Sequence, residues 1–271
     1  MENVNKAIRR LLFEIENFDA SKYDESFLNK TLKNRIIEVH CKSEHEYFEY
    51  LKQNLAEAKE FISSLSVNYT DFFRNSLTFS ILKKIVLPKI IFSKVKQKQH
   101  EIRIWSAACA AGQEAYSLAI LLKELTSDLD VNFRIFATDQ SDEQIGIASK
   151  GEYSFDELQH LTVSRLNNWF VKTKEVYRIK HELKNYIEFS TFDLLSPEFS
   201  SPPGSIFGDF DLIMCANLLF YYKPEYQKVM LEKLKMSLSD KGYLVTGETE
   251  REILTRNCFT ETFPNASIFK K

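Results

Sequence analysis

Glu114, Asp139 and Asn217 each stand where an apolar run gives way to something polar, and each could hold one part of a small ligand. The stretch from Ile102 to Leu122 opens with an apolar run, Ile102 to Trp105, that reads as a buried strand. It passes through Ser106, Ala107, Ala108, Cys109, Ala110, Ala111 and Gly112, then resumes with Ala115, Leu118, Ala119 and Leu122 at helical spacing. Strand, small-residue turn and helix let a ligand lie against bare backbone N–H groups. The turn has a single glycine, so it is not the GxGxxG dinucleotide pattern. Glu114 in the first helical turn disfavours a phosphate and favours a cationic or amine group. An ordinary β–α turn is the plain alternative. Phe133 to Asp139 reads as a second strand ending in an acid, which can accept both hydroxyls of a ribose. Phe210 to Asn217 reads as a third, again with a polar residue at its carboxyl end, where open α/β sheets bind ligands.

These positions need a scaffold. The chain has 271 residues, 44% of them hydrophobic, enough for one large domain or one with a smaller partner. Residues up to about 68 read as helical. Ile8, Leu11, Leu12 and Ile15 share one face; Asp24 or Ser26 caps a helix carrying Leu28, Leu32, Ile36 and Ile37. Ser43 to Glu46 is a capping box ahead of Tyr47, Tyr50 and Leu51, which are expected inward. Thr70 is a candidate cap for a helix beginning near Asp71. The run from Ser80 to about His100 is a lysine-rich helix and linker that Pro88 interrupts or kinks, and it holds the domain boundary. From Trp169 to Phe189 three short strands are expected, at Trp169–Val171, Val176–Ile179 and Tyr186–Phe189, with an extension of the main sheet as the plain alternative to a separate small sheet. Pro224 starts a helix, and strands at Tyr243–Thr246 and Ala266–Phe269 close the chain.

Composition narrows the function. A formal net charge of −2 gives no field that pulls the chain onto nucleic acid or an anionic membrane. No window is apolar for about 18 residues, so no membrane span is expected. The charged N-terminus is not a signal peptide. The four cysteines form no CxxC, which fits reduced thiols in the cytoplasm. His40, Cys41 and His45 lack a second ligand pair, so no metal site is expected.

SAACAAGQEAYSLA, ATDQSDEQIGIASKGEYS, FDLIMCANLLFYY and NYTDFFRN occur here in the order of the chemotaxis receptor methyltransferase (CheR-type) family, which the chain resembles over nearly its whole length. The resemblance implies an α/β fold. A doubly wound, Rossmann-like methyltransferase sheet would carry an N-terminal helical domain and a small antiparallel β insertion. The implied division is a helical domain and linker over 1–92 and an S-adenosylmethionine-dependent domain over 93–271, with the insertion at about 168–190. It further implies S-adenosyl-L-methionine as cofactor, S-adenosyl-L-homocysteine as product, no metal, and O-methylation of glutamates on the cytoplasmic part of a chemotaxis receptor by a cytoplasmic monomer, without nucleic acid and without membrane insertion.

By the same resemblance, Asn68, Thr70, Arg74, Ala108, Gly112, Glu114, Asp139, Asp193, Leu194, Ala216 and Asn217 contact the cofactor, and Arg74 and Tyr221 sit beside the reacting methyl. Glu114 faces the amine and Asp139 the ribose. Three departures stand out: Ala216 occupies a position usually held by arginine, Gly247 to Glu250 replaces a histidine-serine-glutamate run, and the insertion hairpin lacks glycine. The second helix offers Lys30, Lys33 and Arg35 where the family is arginine-rich. Two other readings remain: a catalytically weakened, receptor-binding relative, and a nucleic-acid methyltransferase on the same fold. The second would need an Asn/Asp-Pro-Pro-aromatic motif, whose place holds Cys215-Ala-Asn-Leu, or Cys215 as a nucleophile.

Overall fold

The computed structural model describes residues 4–66, 69–99, 101–205 and 208–271. They fall into two compact units, Met1–Val67 with Phe220–Gln227, and Asn68–Leu219 with Lys228–Lys271.

The smaller unit holds four helices: α1 (Val4–Glu16), α2 (Glu25–Glu38), α3 (Glu44–Gln53) and α4 (Leu55–Ser64). Asp24 caps α2 by accepting the N–H groups of Ser26 and Phe27, and Ser43 caps α3 by accepting that of Glu46. Ile8, Leu12, Leu28, Leu32, Tyr47, Leu51, Ala58 and Phe61 form the buried faces. Tyr50, expected inward, is 37% exposed, and Ile37 on the second helix is 71% exposed. Ile37 lies nine residues after Leu28, half a turn out of phase with the buried face. Tyr50 turns outward to accept the Asn54 amide N–H.

Among these apolar faces sits one ionic group. Glu57 is 4% exposed and takes Arg35 in a two-pronged pair, at 2.9 and 2.6 Å, together with the Tyr47 hydroxyl at 2.7 Å. Arg35 is therefore committed to the interior of this unit. The segment Phe220–Gln227 also belongs here. Tyr222 pairs with Tyr23 as an antiparallel bridge, with ring centroids 4.9 Å apart. The Asp24 N–H donates to the Tyr221 carbonyl at 2.8 Å, and the Tyr221 ring lies 4.6 Å from that of Phe27.

The larger unit begins, within its described residues, with a turn and then α5 (Ser76–Ile81) and α6 (Leu87–Lys96), joined by a π-turn over Leu82–Val86. There the Leu87 N–H reaches back to the Leu82 carbonyl, and the widened turn absorbs Pro88 without breaking the helical path. The expected division between 92 and 93 falls inside α6. Ile90 and Ile91 on one side of it share an apolar cluster with Ile102 and Ile104 on the other.

Next come β1 (Glu101–Ala107), α7 (Gln113–Thr126), β2 (Asn132–Asp139), α8 (Asp142–Lys150), β3 (Glu152–Ser154), α9 (Val163–Trp169), β4 (Phe170–Thr173), β5 (Val176–Ile179) and α10 (His181–Lys184). They are followed by β6 (Ile187–Thr191), β7 (Phe210–Cys215), α11 (Pro224–Ser237), β8 (Leu238–Thr246), α12 (Arg251–Arg256), β9 (Thr260–Glu261) and β10 (Ile268–Lys270). The main sheet runs β6-β2-β1-β7-β8-β10-β9. Its first five strands are parallel, and β10 is antiparallel to both neighbours. This is a doubly wound sheet whose strand order reverses about β1, so the carboxyl ends of β1, β2 and β7 border the switch point.

The small antiparallel sheet is present, in the order β3-β5-β4. Its third member differs from expectation. The Tyr186–Phe189 segment joins the main sheet as β6, parallel to β2, because Tyr186 stacks on Phe133 (4.3 Å) and Phe189 packs on Tyr116 (5.5 Å). Glu152–Ser154, directly after the helix-ending Gly151, takes the vacant edge of β5.

Candidate active site

The loop leaving β1 makes an abrupt turn: Ala108, Ala110 and Gly112 all have positive φ, at 65°, 46° and 91°. Small residues are required where the backbone turns left-handed and close to its neighbours. A Cβ on Gly112 would lie 2.9 Å from the Ala148 Cβ. The loop is fixed by three bonds. The Cys109 N–H donates to the Thr138 carbonyl at 2.8 Å, the Ala110 N–H to Asp139 Oδ2 at 2.9 Å, and the Tyr153 hydroxyl to the Ala111 carbonyl at 2.7 Å. Asp139 thus holds the loop after β1 from the end of β2. Its other oxygen accepts the Ser141 N–H at 3.0 Å. The Gln140 N–H also acts on this carboxylate, so its acceptor capacity is largely taken by backbone donors and what remains faces the switch point. Burial raises this carboxyl above its ordinary range, and the backbone donors oppose the rise.

Glu114 follows in the first turn of α7, where Ser106, at the end of β1, donates its hydroxyl to Oε1 at 2.6 Å. Burial pushes the Glu114 carboxyl up to about 8. The Ser106 bond opposes the shift, the Glu250 charge adds to it, and the Arg74 charge pulls it back. A half-buried, desolvated acid is costly to ionise alone, and its ionised form becomes favourable once a cation sits beside it.

On the far side of β2, the Phe192 N–H donates to the Asp139 carbonyl at 2.8 Å and so places the following pair. Asp193 accepts the Leu195 N–H at 2.8 Å, and Leu194 is buried. Beyond β7, Ala216 is half-buried and Asn217 has φ 62°. The residue that shapes this turn is Glu250. Fully buried, it accepts the N–H groups of Asn217 at 2.9 Å, Leu219 at 2.6 Å and Gly247 at 2.7 Å. Burial raises its carboxyl, and these donors, with that of Leu218, hold it down. Gly247 is confined in turn, since a Cβ there would lie 2.6 Å from the Asn217 amide nitrogen.

Ala108, Gly112, Glu114, Asp139, Asp193, Leu194, Ala216 and Asn217 therefore gather at the carboxyl ends of β1, β2, β6 and β7. Asn68 lies outside the described residues. Thr70 is half-buried in irregular chain and starts no helix; the helix begins at Ser76, capped by Asn75. Phe72 packs on Tyr153 and Phe170 while Phe73 packs on Phe79, and the chain between them turns with Phe73 and Asn75 at positive φ. This turn displaces the helix start from Asp71. Arg74 donates to the Tyr69 carbonyl at 2.9 Å and lies over the Tyr69 ring. Tyr221 belongs to the helical unit. Glu250, Tyr153 and Ser106 are the participants that sequence reasoning missed. Only the family's glutamate in the run ending at 250 could have pointed to the first.

Cys109 and Cys215 are both fully buried, and burial holds their thiols well above the ordinary value. A cytosine-type reaction would need Cys215 as a thiolate, the form that this burial disfavours. Among the described residues, no group of three or more His, Cys, Asp and Glu side chains is placed to hold a metal ion, and no helix is long and apolar enough to cross a membrane.

A doubly wound sheet with acids at its switch point and a left-handed loop after β1 is the framework of a nucleoside-cofactor methyltransferase. The chain belongs to the CheR methyltransferase family: the model described as "CheR methyltransferase, SAM binding domain" matches residues 68–264. A chemotaxis protein methyltransferase of Listeria innocua is 29% identical over 233 residues, 86% of this chain and 84% of its own. Those of Salmonella typhimurium and Escherichia coli are 32% and 27% identical, covering 73% and 90% of this chain and 65% and 83% of theirs.

Proposed function

We propose that this chain transfers a methyl group from S-adenosylmethionine to glutamate side chains of a chemotaxis receptor, forming methyl esters. The observation that carries the reading is Glu114, half-buried, bonded to Ser106 and pushed up to about 8, which suits an amine-bearing ligand. Asp139 would accept the ribose hydroxyls, Asp193 and Leu194 would border the adenine, and Ala108, Gly112, Ala216 and Asn217 would line the remainder.

When bound, S-adenosylmethionine supplies a methyl already activated by its sulfonium leaving group. An acceptor carboxylate is ionised at neutral pH and needs no general base. The chain's own task is to desolvate that carboxylate and aim it. Arg74, whose planar fork grips a carboxylate in two bonds, holds the acceptor or the cofactor carboxylate. Tyr221 orients the reacting groups.

The test uses methyl-labelled S-adenosylmethionine with receptor fragments, followed by dilute alkali. Volatile label that vanishes when receptor glutamates become alanine is the expected result. Label that survives alkali, or that follows nucleic acid, would overturn the reading.

A further inference from the structure

Beside Arg74 the larger unit opens into a cleft of about 660 Å³, within the range that holds a small ligand or a side chain of a bound peptide. Arg74, Ser76, Ser80, Lys83, His160 and Arg165 are among its lining residues, and Glu248 is the acidic one. We propose that this cleft is a subsite for a second acidic side chain of the acceptor segment, which anchors the segment while a neighbouring glutamate is methylated. The inference rests on the glutamate methylation proposed above.

The cationic heads are built in. The Arg165 guanidinium stacks 3.9 Å from the centre of the Phe73 ring, and Phe73 is braced edge-on by Phe79 at 5.2 Å. The Phe73 N–H is tied to Ser117 Oγ at 2.9 Å. Glu124 takes two bonds from Arg165, at 2.7 and 2.9 Å, and one from Lys83 at 2.9 Å. Burial acts to raise the Glu124 carboxyl, but these two partners prevail and hold it below its ordinary range. One carboxylate thus fixes two cations in place without neutralising both.

Arg74 adds a third cation, whose hydrogen bond goes to a neutral carbonyl. Against Arg74, Lys83 and Arg165 stand Glu124 and the exposed Glu248, so the cleft keeps a positive excess. Ser76 and Ser80 add hydroxyl donors, and Arg165 Nη1 takes no part in the Glu124 pair. Donors and cations that outnumber the acids beside them are complementary to a carboxylate. Arg74 also belongs to the proposed methyl-transfer site, so both carboxylates would come from one acceptor chain.

The test uses the full-length protein and helical peptides. Each peptide carries one acceptor glutamate and a second glutamate walked through neighbouring positions, and each has a counterpart with glutamine at the second place. At the matching position, the doubly acidic peptide is expected to show a KM about five- to tenfold lower, the usual scale for one charge pair in a partly solvated site. That ratio should fall to within about twofold in Lys83→Gln and Ser80→Glu, the loss expected when the pair's coupling is removed. Anisotropy of labelled peptides reads the same preference without turnover. If no peptide is methylated yet the preference and its loss appear in binding, the subsite stands and the reaction assignment fails. Equal binding of all peptides, or a preference that survives both substitutions, would overturn the subsite.

Discussion

The carboxylate of Glu250 accepts the backbone N–H of Asn217 at 2.9 Å, across 33 positions of sequence. Two further donors, from Leu219 and Gly247, converge on the same group, so one buried side chain sets the turn after β7. Replacing it by glutamine keeps the shape but turns amide hydrogens toward backbone donors. Hydrogen bonds to charged groups contribute about 1.5–3 kcal/mol each. Glu250→Gln is expected to melt roughly 10 °C lower, at about 2–4 °C per kcal/mol for a chain of this size. Its cofactor affinity falls with it. Thermal unfolding with and without S-adenosylmethionine checks both, and an unchanged melting temperature would contradict the role.

Glu114 predicts opposite signs for stability and binding. Its folded pKa, about 8, lies above the ordinary carboxyl value, so the folded state keeps a proton that the unfolded chain has released. This group's contribution is fully present below about pH 4.5 and is lost as pH rises through 8. Glu114→Gln is therefore expected to be more stable than the parent near pH 8 without ligand, yet to bind S-adenosylmethionine more weakly. In the parent, on the proposed reading, docking of an ammonium group would expel the proton. Affinity should then rise from pH 6 to 8, until the ligand's α-amine itself loses charge at about 8. Calorimetry in buffers of different ionisation enthalpy measures the released proton.

Asp139→Ala removes the partner of the Ala110 N–H and, on the proposed reading, the acceptor of two ribose hydroxyls. A loss of two charge-assisted bonds, about 1.5–3 kcal/mol each, should weaken cofactor binding by at least a hundredfold. Affinity within about threefold of the parent, less than a single such bond would cost, would remove the ribose assignment.

In the helical unit, Glu57→Ala leaves Arg35 only its pair with the exposed Glu38 and the buried Tyr47 hydroxyl without its acceptor, and is expected to cost about 3 kcal/mol. The paired change Glu57→Leu with Arg35→Met should recover much of that loss, since apolar replacements of buried ion pairs are often neutral or better. Denaturant midpoints of the two variants decide it.

Much of this was legible in the sequence because local and global signals agree. Asp24 and Ser43 announce the helices they cap. The apolar runs at Ile102, Phe133 and Phe210 became adjacent parallel strands. The failures share a cause, which is contact between residues distant in the chain. Nothing local tells Ile187–Thr191 to pair with β2 rather than with the hairpin that ends at Ile179; the rings of Phe133 and Tyr116 decide it. The π-turn before Pro88 is likewise a tertiary solution, visible only once Leu82 and Leu87 are both buried. Glu250 reads as one more surface acid until its four backbone donors are in view.

Tyr221 gains its surroundings from residues two hundred positions away. Phe27→Ala removes the ring 4.6 Å from it. If Tyr221 orients the reacting groups, this variant is expected to lose turnover about tenfold, as when a positioning contact is removed, with cofactor affinity little changed. Single-turnover methyl transfer and direct titration separate the two effects.

The bridge between Tyr23 and Tyr222 has a consequence for how such chains can be recombined. The helical unit is not a prefix that can be exchanged at one junction, because residues 220–227 complete it from the other end of the chain. A chimera cut near residue 68 would join one parent's Tyr23 and Asp24 to the other parent's return segment. The mismatch would surface as poor folding or slow turnover far from the splice. Inheritance of this architecture thus demands that two separated stretches change in concert, and an engineer transplanting specificity must carry both.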